Sequence, residues 1–226
     1  MPKPWERCGP FSPARRVVTT RPRRIVGFIP SLKAGRLLAW ESQLERDFIL
    51  TTDMDPAVTG LWDQPERIEY RLGKTRHTYT PDFRVERDGV AEVVEVKPAH
   101  FAARPDTAAV LDTVARVVRA RGESFTVVGE EEIRAPAKIA NARALFIASR
   151  QFPTPGELLE CAGAADGGKA ATLGSLSACL GYQDHLQILH LVAHGIVVVD
   201  ISEPLGPNAL VRKVRLSPAM KKTGAP

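Results

Sequence analysis

The stretch from Tyr79 to Pro98 constrains this chain most, because it carries its own strand pairing with a charged cluster at one end. It reads Tyr-Thr-Pro-Asp-Phe-Arg-Val, a short polar turn, then Ala-Glu-Val-Val-Glu-Val-Lys-Pro. Phe83 and Val85 mark the end of one strand, and Val93, Val94 and Val96 supply the β-branched residues of the next. Asp88-Gly89 between them is a hairpin turn, in which glycine takes a positive φ without steric cost. Alternation along the second strand puts Glu95 and Lys97 on one face and Val94 and Val96 on the other. Asp82 is delivered beside them from the neighbouring strand. Two carboxylates suit a hard cation such as Mg2+, with Mn2+ as a substitute, and an adjacent lysine suits the activation of water. The set fits hydrolysis of a phosphodiester. The plainer alternative is a solvent-facing ion pair on an edge strand.

The chain has 226 residues, enough for one medium domain and a small one. Apolar residues make up 44% and charged residues 25%, an ordinary globular balance, so neither a fibrous nor a disordered class is indicated. No apolar run is long enough to cross a bilayer and the N-terminus lacks a signal-peptide core, so the expectation is a cytoplasmic, nucleoid-associated protein without a membrane partner. Cys8, Cys161 and Cys179 form no CxxC and read as reduced thiols, two of them packed. A net charge of +5 permits a polyanionic partner.

Residues 1–36 form a basic arm punctuated by prolines, with Glu6 its single acid and regular structure unexpected before about Ile25. Arg15, Arg16, Arg21, Arg23 and Arg24 are its candidate phosphate contacts, and a solubilising tail is the alternative. Leu37 to Leu50 reads as a helix with Leu37, Leu44 and Phe48 on one stripe; Glu41 and Glu45 project together from it. One of these acids reaching toward Asp82 and Glu95 would complete a metal site. An extended or turning segment from Val58 to Trp62 follows, then strands over 67–72 and 76–80 across a Gly73-Lys74 turn. A helix from Asp106 to Arg121, capped by Asp106 and ended by Gly122, precedes a buried strand from Phe125 to Gly129 and a helix from Pro136 to Arg150.

Pro81-Asp82 followed by Glu95-Val96-Lys97 resembles the catalytic signature of the PD-(D/E)xK nuclease superfamily. The wider succession resembles the catalytic domain of TnsA-type endonucleases, the partner subunits of bacterial heteromeric cut-and-paste transposases. It runs through Ser42-Gln-Leu-Glu45-Arg-Asp-Phe48, Asp55-Pro56-Ala-Val58, Gln64-Pro65, Ile68-Glu-Tyr70, Tyr79-Thr-Pro-Asp82-Phe83 and Glu95-Val-Lys97-Pro98, and covers about residues 37–150. The resemblance implies a restriction-endonuclease-like mixed-sheet α/β core. It puts Glu45 in the place of the helix acid, Asp82 in that of the central metal-binding aspartate and Lys97 in that of the catalytic lysine. Glu95 stands where some members carry glutamine.

A change of composition at Gln151-Phe-Pro-Thr-Pro marks a boundary, with 37–150 as nuclease domain and 151–226 as a second domain. Helices over 155–161, 172–180 and 184–194 and a ribbon of 196–201 with 210–216 read as a winged helix, which the resemblance also implies. The last of these helices has no lysine or arginine, while Arg212, Lys213 and Arg215 sit on the final strand. This suits protein docking better than base reading, and the resemblance implies a regulatory ATPase as the docked partner. His185, His190 and His194 lack a convincing further ligand for zinc, and no GxxxxGK[ST] loop is present. The expected function is a Mg2+-dependent endonuclease that cuts one strand of double-stranded DNA at transposon ends beside a partner transposase subunit. A stand-alone restriction or repair nuclease, or a non-catalytic adaptor, are the alternatives.

Overall fold

The computed structural model describes residues 26–166 and 171–215. Arg15, Arg16, Arg21, Arg23 and Arg24 therefore lie outside the described residues. The rest divides into two compact units, one of 26–53 with Ala57–Ala135, the other of Met54–Pro56 with the residues from Pro136 on.

The first unit opens with an antiparallel hairpin, β1 (Gly27–Ser31) and β2 (Arg36–Trp40). A helix was expected from Leu37, but Leu37 is exposed and Leu38 fully buried, an alternation that belongs to a strand. Gly35, at φ 64°, turns the chain back, and Asp53 holds that turn by accepting from the Ser31 hydroxyl at 2.5 Å and the amides of Leu32 and Lys33 at 2.9 and 3.0 Å. Gly27 is required where it stands, since a Cβ there would meet the Trp40 ring at 2.5 Å. The helix α1 (Gln43–Asp53) starts only after Ser42, whose hydroxyl accepts from the Glu45 amide at 3.1 Å. Leu44, Phe48 and Ile49 are its buried face.

β3 (Val58–Asp63) leads to a separate ribbon of β4 (Ile68–Leu72) and β5 (Thr75–Tyr79), and then to the hairpin β6 (Phe83–Arg87) and β7 (Val90–Val96). After Pro98 come α2 (Ala99–Ala102), α3 (Pro105–Arg119) and β8 (Ser124–Val128). The sheet order is β3-β6-β7-β8, antiparallel at the first two joints and parallel at the third. A parallel joint needs a crossover, and α2 with α3 supplies it. The chain is thus a mixed α/β protein, as expected.

Asp106 does not cap α3. Arg104 occupies the cap position without a side-chain bond, Pro105 opens the helix, and Asp106 sits in the first turn, where its charge favours the helix dipole. Leu111, Val114 and Val118 pack with Ile68, Tyr70, Val93 and Phe125 into one core. Arg84, almost wholly buried, donates from Nη2 to Glu123 at 2.9 Å. A short α4 (Glu130–Ile133) ends the unit.

The second unit comprises α5 (Pro136–Ala148), α6 (Pro155–Asp166), α7 (Leu173–Cys179), a 3-10 turn over His185–Ile188 running into α8 (Leu189–Ala193), and the short antiparallel pair β9 (Val197–Val198) and β10 (Lys213–Val214). The boundary expected near Arg150 falls between Ala135 and Pro136 instead. The cause is α5, which packs on α8 and whose Asn141 donates to the carbonyls of Ile201 and Glu203 at 2.9 and 2.7 Å. Of the two described cysteines only Cys161 is packed, and burial pushes its thiol up to about 11. Among the described residues no helix is long and apolar enough to cross a membrane.

Candidate active site

Asp82, Glu95 and Lys97 meet because β6 and β7 pair in the register Phe83↔Val94, which leaves Asp82 opposite Glu95. The Val96 amide donates to Asp82 Oδ2 at 2.9 Å and fixes the carboxylate at the strand end. The Lys97 amide continues the ladder to Val128 O at 3.0 Å, so its backbone is anchored on β8. As alternation requires, the Lys97 ammonium forms an ion pair with Glu95 Oε1. The Glu95 side chain is only 5% exposed, against 27% for Lys97. This is not the solvent-facing pair of the plainer alternative.

The acid cluster gathers more carboxyls than cations, since Lys97 is the one cation paired with it among the described residues. Glu95 Oε2 and the Tyr79 hydroxyl are both buried, and the two side chains interact with each other without forming a well-aligned hydrogen bond. Asp82 retains some exposed surface, yet its carboxyl is set too deep to be well solvated. Poor solvation, then the charges of Glu95 and Glu45, hold its pKa well above the ordinary value, against the smaller pull of the Val96 amide and Lys97. Glu45 is raised as well, by burial first and by the charges of Glu41 and Glu95, while bonds from the Glu41 amide and Ser42 oppose the shift. The Tyr79 phenol is raised by burial and then by Glu95 and Asp82. Asp82, Glu95, Lys97 and Glu45 therefore share one electrostatic site.

Glu45 also has a structural duty. Its own amide donates to the Ser42 hydroxyl, which caps α1, and its Oε2 accepts from the Glu41 amide at 2.7 Å, bracing the chain just before that cap. Glu41 is engaged elsewhere, accepting from Gln64 Nε2 at 3.2 Å.

Gln64 and Tyr79 stand in the motifs quoted from the sequence, but the sequence assigns neither a role in the site. Gln64 is buried with φ 43°, a left-handed conformation unfavourable for a residue with a side chain and doubly so before Pro65. Its amide donates to Asp82 O at 2.7 Å while its side chain reaches Glu41, so one strained residue ties the aspartate's backbone to the start of α1. The pre-proline position was visible in the sequence; its left-handed turn was not.

Among the described residues no three His, Cys, Asp or Glu side chains gather closely enough to close a cation cage. Mg2+ does not require one, since it is commonly held by one or two carboxylates, waters and substrate phosphate. Asp82 and Glu95 fit that role: both offer hard oxygens, Glu95 Oε2 is buried without a well-aligned hydrogen bond, and their mutual repulsion would be relieved by a dication.

No model of a known protein family matches the chain, and no curated protein matches it.

Proposed function

We propose that this chain is a metal-dependent DNA endonuclease of the PD-(D/E)xK kind, cutting one strand of double-stranded DNA as a subunit of a cut-and-paste transposase. The observation that carries the reading is the Asp82–Glu95–Lys97 set gathered at the ends of two paired strands, with the Glu95 carboxylate buried. Asp82 and Glu95 would hold the cation, and Glu45 would set the local negative potential from α1. Bound Mg2+ would offset charge on the attacked phosphate and the leaving oxygen. Lys97, steadied by its backbone bond to Val128 and its ion pair with Glu95, orients the water and offsets charge building on the phosphoryl oxygens. The bond formed joins the water oxygen to phosphorus. The bond broken joins phosphorus to a sugar oxygen, which takes up a proton.

The second unit suits a winged-helix docking module for a regulatory ATPase. Its order of helices and a short ribbon fits, the segment His185–Ala193 carries no lysine or arginine, and Leu186 is exposed on it. Arg212, just before β10, is already paired with Asp200 at 2.9 Å, which reduces the charge it can offer to DNA. Such a protein acts on the nucleoid in the cytoplasm.

The test is a calorimetric titration with Mn2+, run beside nicking of transposon-end duplex with the partner transposase present. Asp82→Asn and Glu95→Gln should each lose Mn2+ binding and nicking together. Either variant retaining both would remove these residues from the mechanism.

A further inference from the structure

Between β3 and β6 the chain leaves the sheet to make the β4–β5 ribbon, in the register Ile68↔Tyr79 through Leu72↔Thr75. Directly paired residues share a face. One face is rooted in the fold: Ile68, Tyr70 and Tyr79 pack with α3 and Val93, and His77 stacks on Tyr70 at 5.3 Å. The other face carries Glu69, Thr78 and the pair Arg71↔Arg76, all exposed, with Arg67 just before it and Lys74 in the turn.

Arg71 and Arg76 stand directly opposite one another. Like charges so placed weaken a ribbon, and Glu69, the one acid on that face, forms no ion pair with either of them among the described residues. The ion pairs of this unit use Arg36, Arg46, Arg84, Arg87, Lys97, Arg121 and Arg134; among the described residues none uses Arg67, Arg71, Lys74 or Arg76. An exposed cationic pair without an ion-pair partner among the described residues points to a polyanion outside. The root of the ribbon lies at the acid cluster, since β5 ends at Tyr79 and Asp82 follows. Five residues at 3.3 Å per residue span roughly 17 Å, and a two-stranded ribbon fits a major groove about 12 Å wide.

We propose that the β4–β5 ribbon is a DNA-holding arm that sets Arg71 and Arg76, with Arg67 and Lys74 beside them, on backbone phosphates flanking the bond to be cut. This rests on the nuclease reading and adds where the duplex is gripped.

The experiment compares the full-length protein with its Arg71→Ala/Arg76→Ala variant for binding to a 30-base-pair duplex without divalent metal, over a salt series. Losing two phosphate contacts should lower the log-log salt slope by about 1.8, at about 0.9 for each contact. The thermal midpoint should hold or rise, because a repulsive pair is removed, and Arg71→Lys/Arg76→Lys should keep most of the slope. An unchanged slope overturns the proposal. So does a wild-type protein that binds single-stranded RNA or polyglutamate as tightly as the duplex. Nicking assayed in parallel separates the two readings: nicking with an unchanged slope sinks the ribbon alone, whereas a ribbon-dependent slope without nicking sinks the nuclease alone.

Discussion

Asp82 is held where its charge is least welcome. Its carboxyl has a pKa raised by poor solvation and by two neighbouring acids, so the ionised form is worse off folded than unfolded. A raised folded value means a cost absent at low pH and present once pH rises through the carboxylate range. Asp82→Asn removes the charge and keeps an acceptor for the Val96 amide. It should abolish cleavage yet stabilise the metal-free protein at neutral pH by roughly 0.5–2 kcal/mol. Thermal unfolding at pH 7 and at pH 4 checks this, with the gain expected only at the higher pH. Gln64 offers a second residue-scale test. Gln64→Gly relieves the strained φ of 43° but cuts the link to Glu41. It should lower kcat several-fold with little change in stability, and an unaltered kcat would reduce Gln64 to a turn residue.

At the scale of elements, α1 complicates a simple reading of Glu45. Because its carboxylate holds the Glu41 amide just before the helix, Glu45→Ala should lose about 1 kcal/mol of stability as well as activity. Glu45→Gln keeps the acceptor and removes only the charge, so it should unfold like wild type while cleaving more slowly. If Glu45→Gln cleaves normally, Glu45 is a brace alone. In the second unit, Glu157 joins α6 to α8. Burial alone would raise it, but bonds from Tyr182 and Thr154 and the neighbouring His190 bring it down to about 2 from an ordinary 4.5. A lowered folded value gives stability that is present above 4.5 and lost as pH falls toward 2. Glu157→Gln should therefore unfold earlier than wild type at pH 7, with the gap narrowing below pH 4.5 and closing only as pH nears about 2. The elements most legible in the sequence are those whose turn and period agree: β4–β5 around Gly73, β6–β7 around Asp88-Gly89, and α3. β2 was misread because Leu37, Leu38, Trp40 and Leu44 satisfy a helical stripe as well as an alternating one, and only the turn held by Asp53 decides between them. The site was legible where it follows from alternation, as for Glu95 and Lys97. It was not where a tertiary contact makes the role, as for Gln64 and Tyr79.

For the whole molecule, α5 matters most, because its company on α8 moves the division of the chain to Ala135–Pro136. A fragment of residues 1–150 would keep α5 but strip the cover from Ile139, Ala142 and Leu145. Limited proteolysis should therefore find residues 1–135 more resistant than 1–150; the reverse would return α5 to the nuclease unit. The central claim, that the Asp82–Glu95–Lys97 set hydrolyses DNA, is tested most directly by single-turnover nicking of transposon-end duplex with Mg2+ and the partner transposase present. Lys97→Ala should bind DNA and Mn2+ as wild type does and lose nicking by at least about 100-fold, the scale of removing one charge-stabilising donor. Nicking by Lys97→Ala at the wild-type rate would contradict the account.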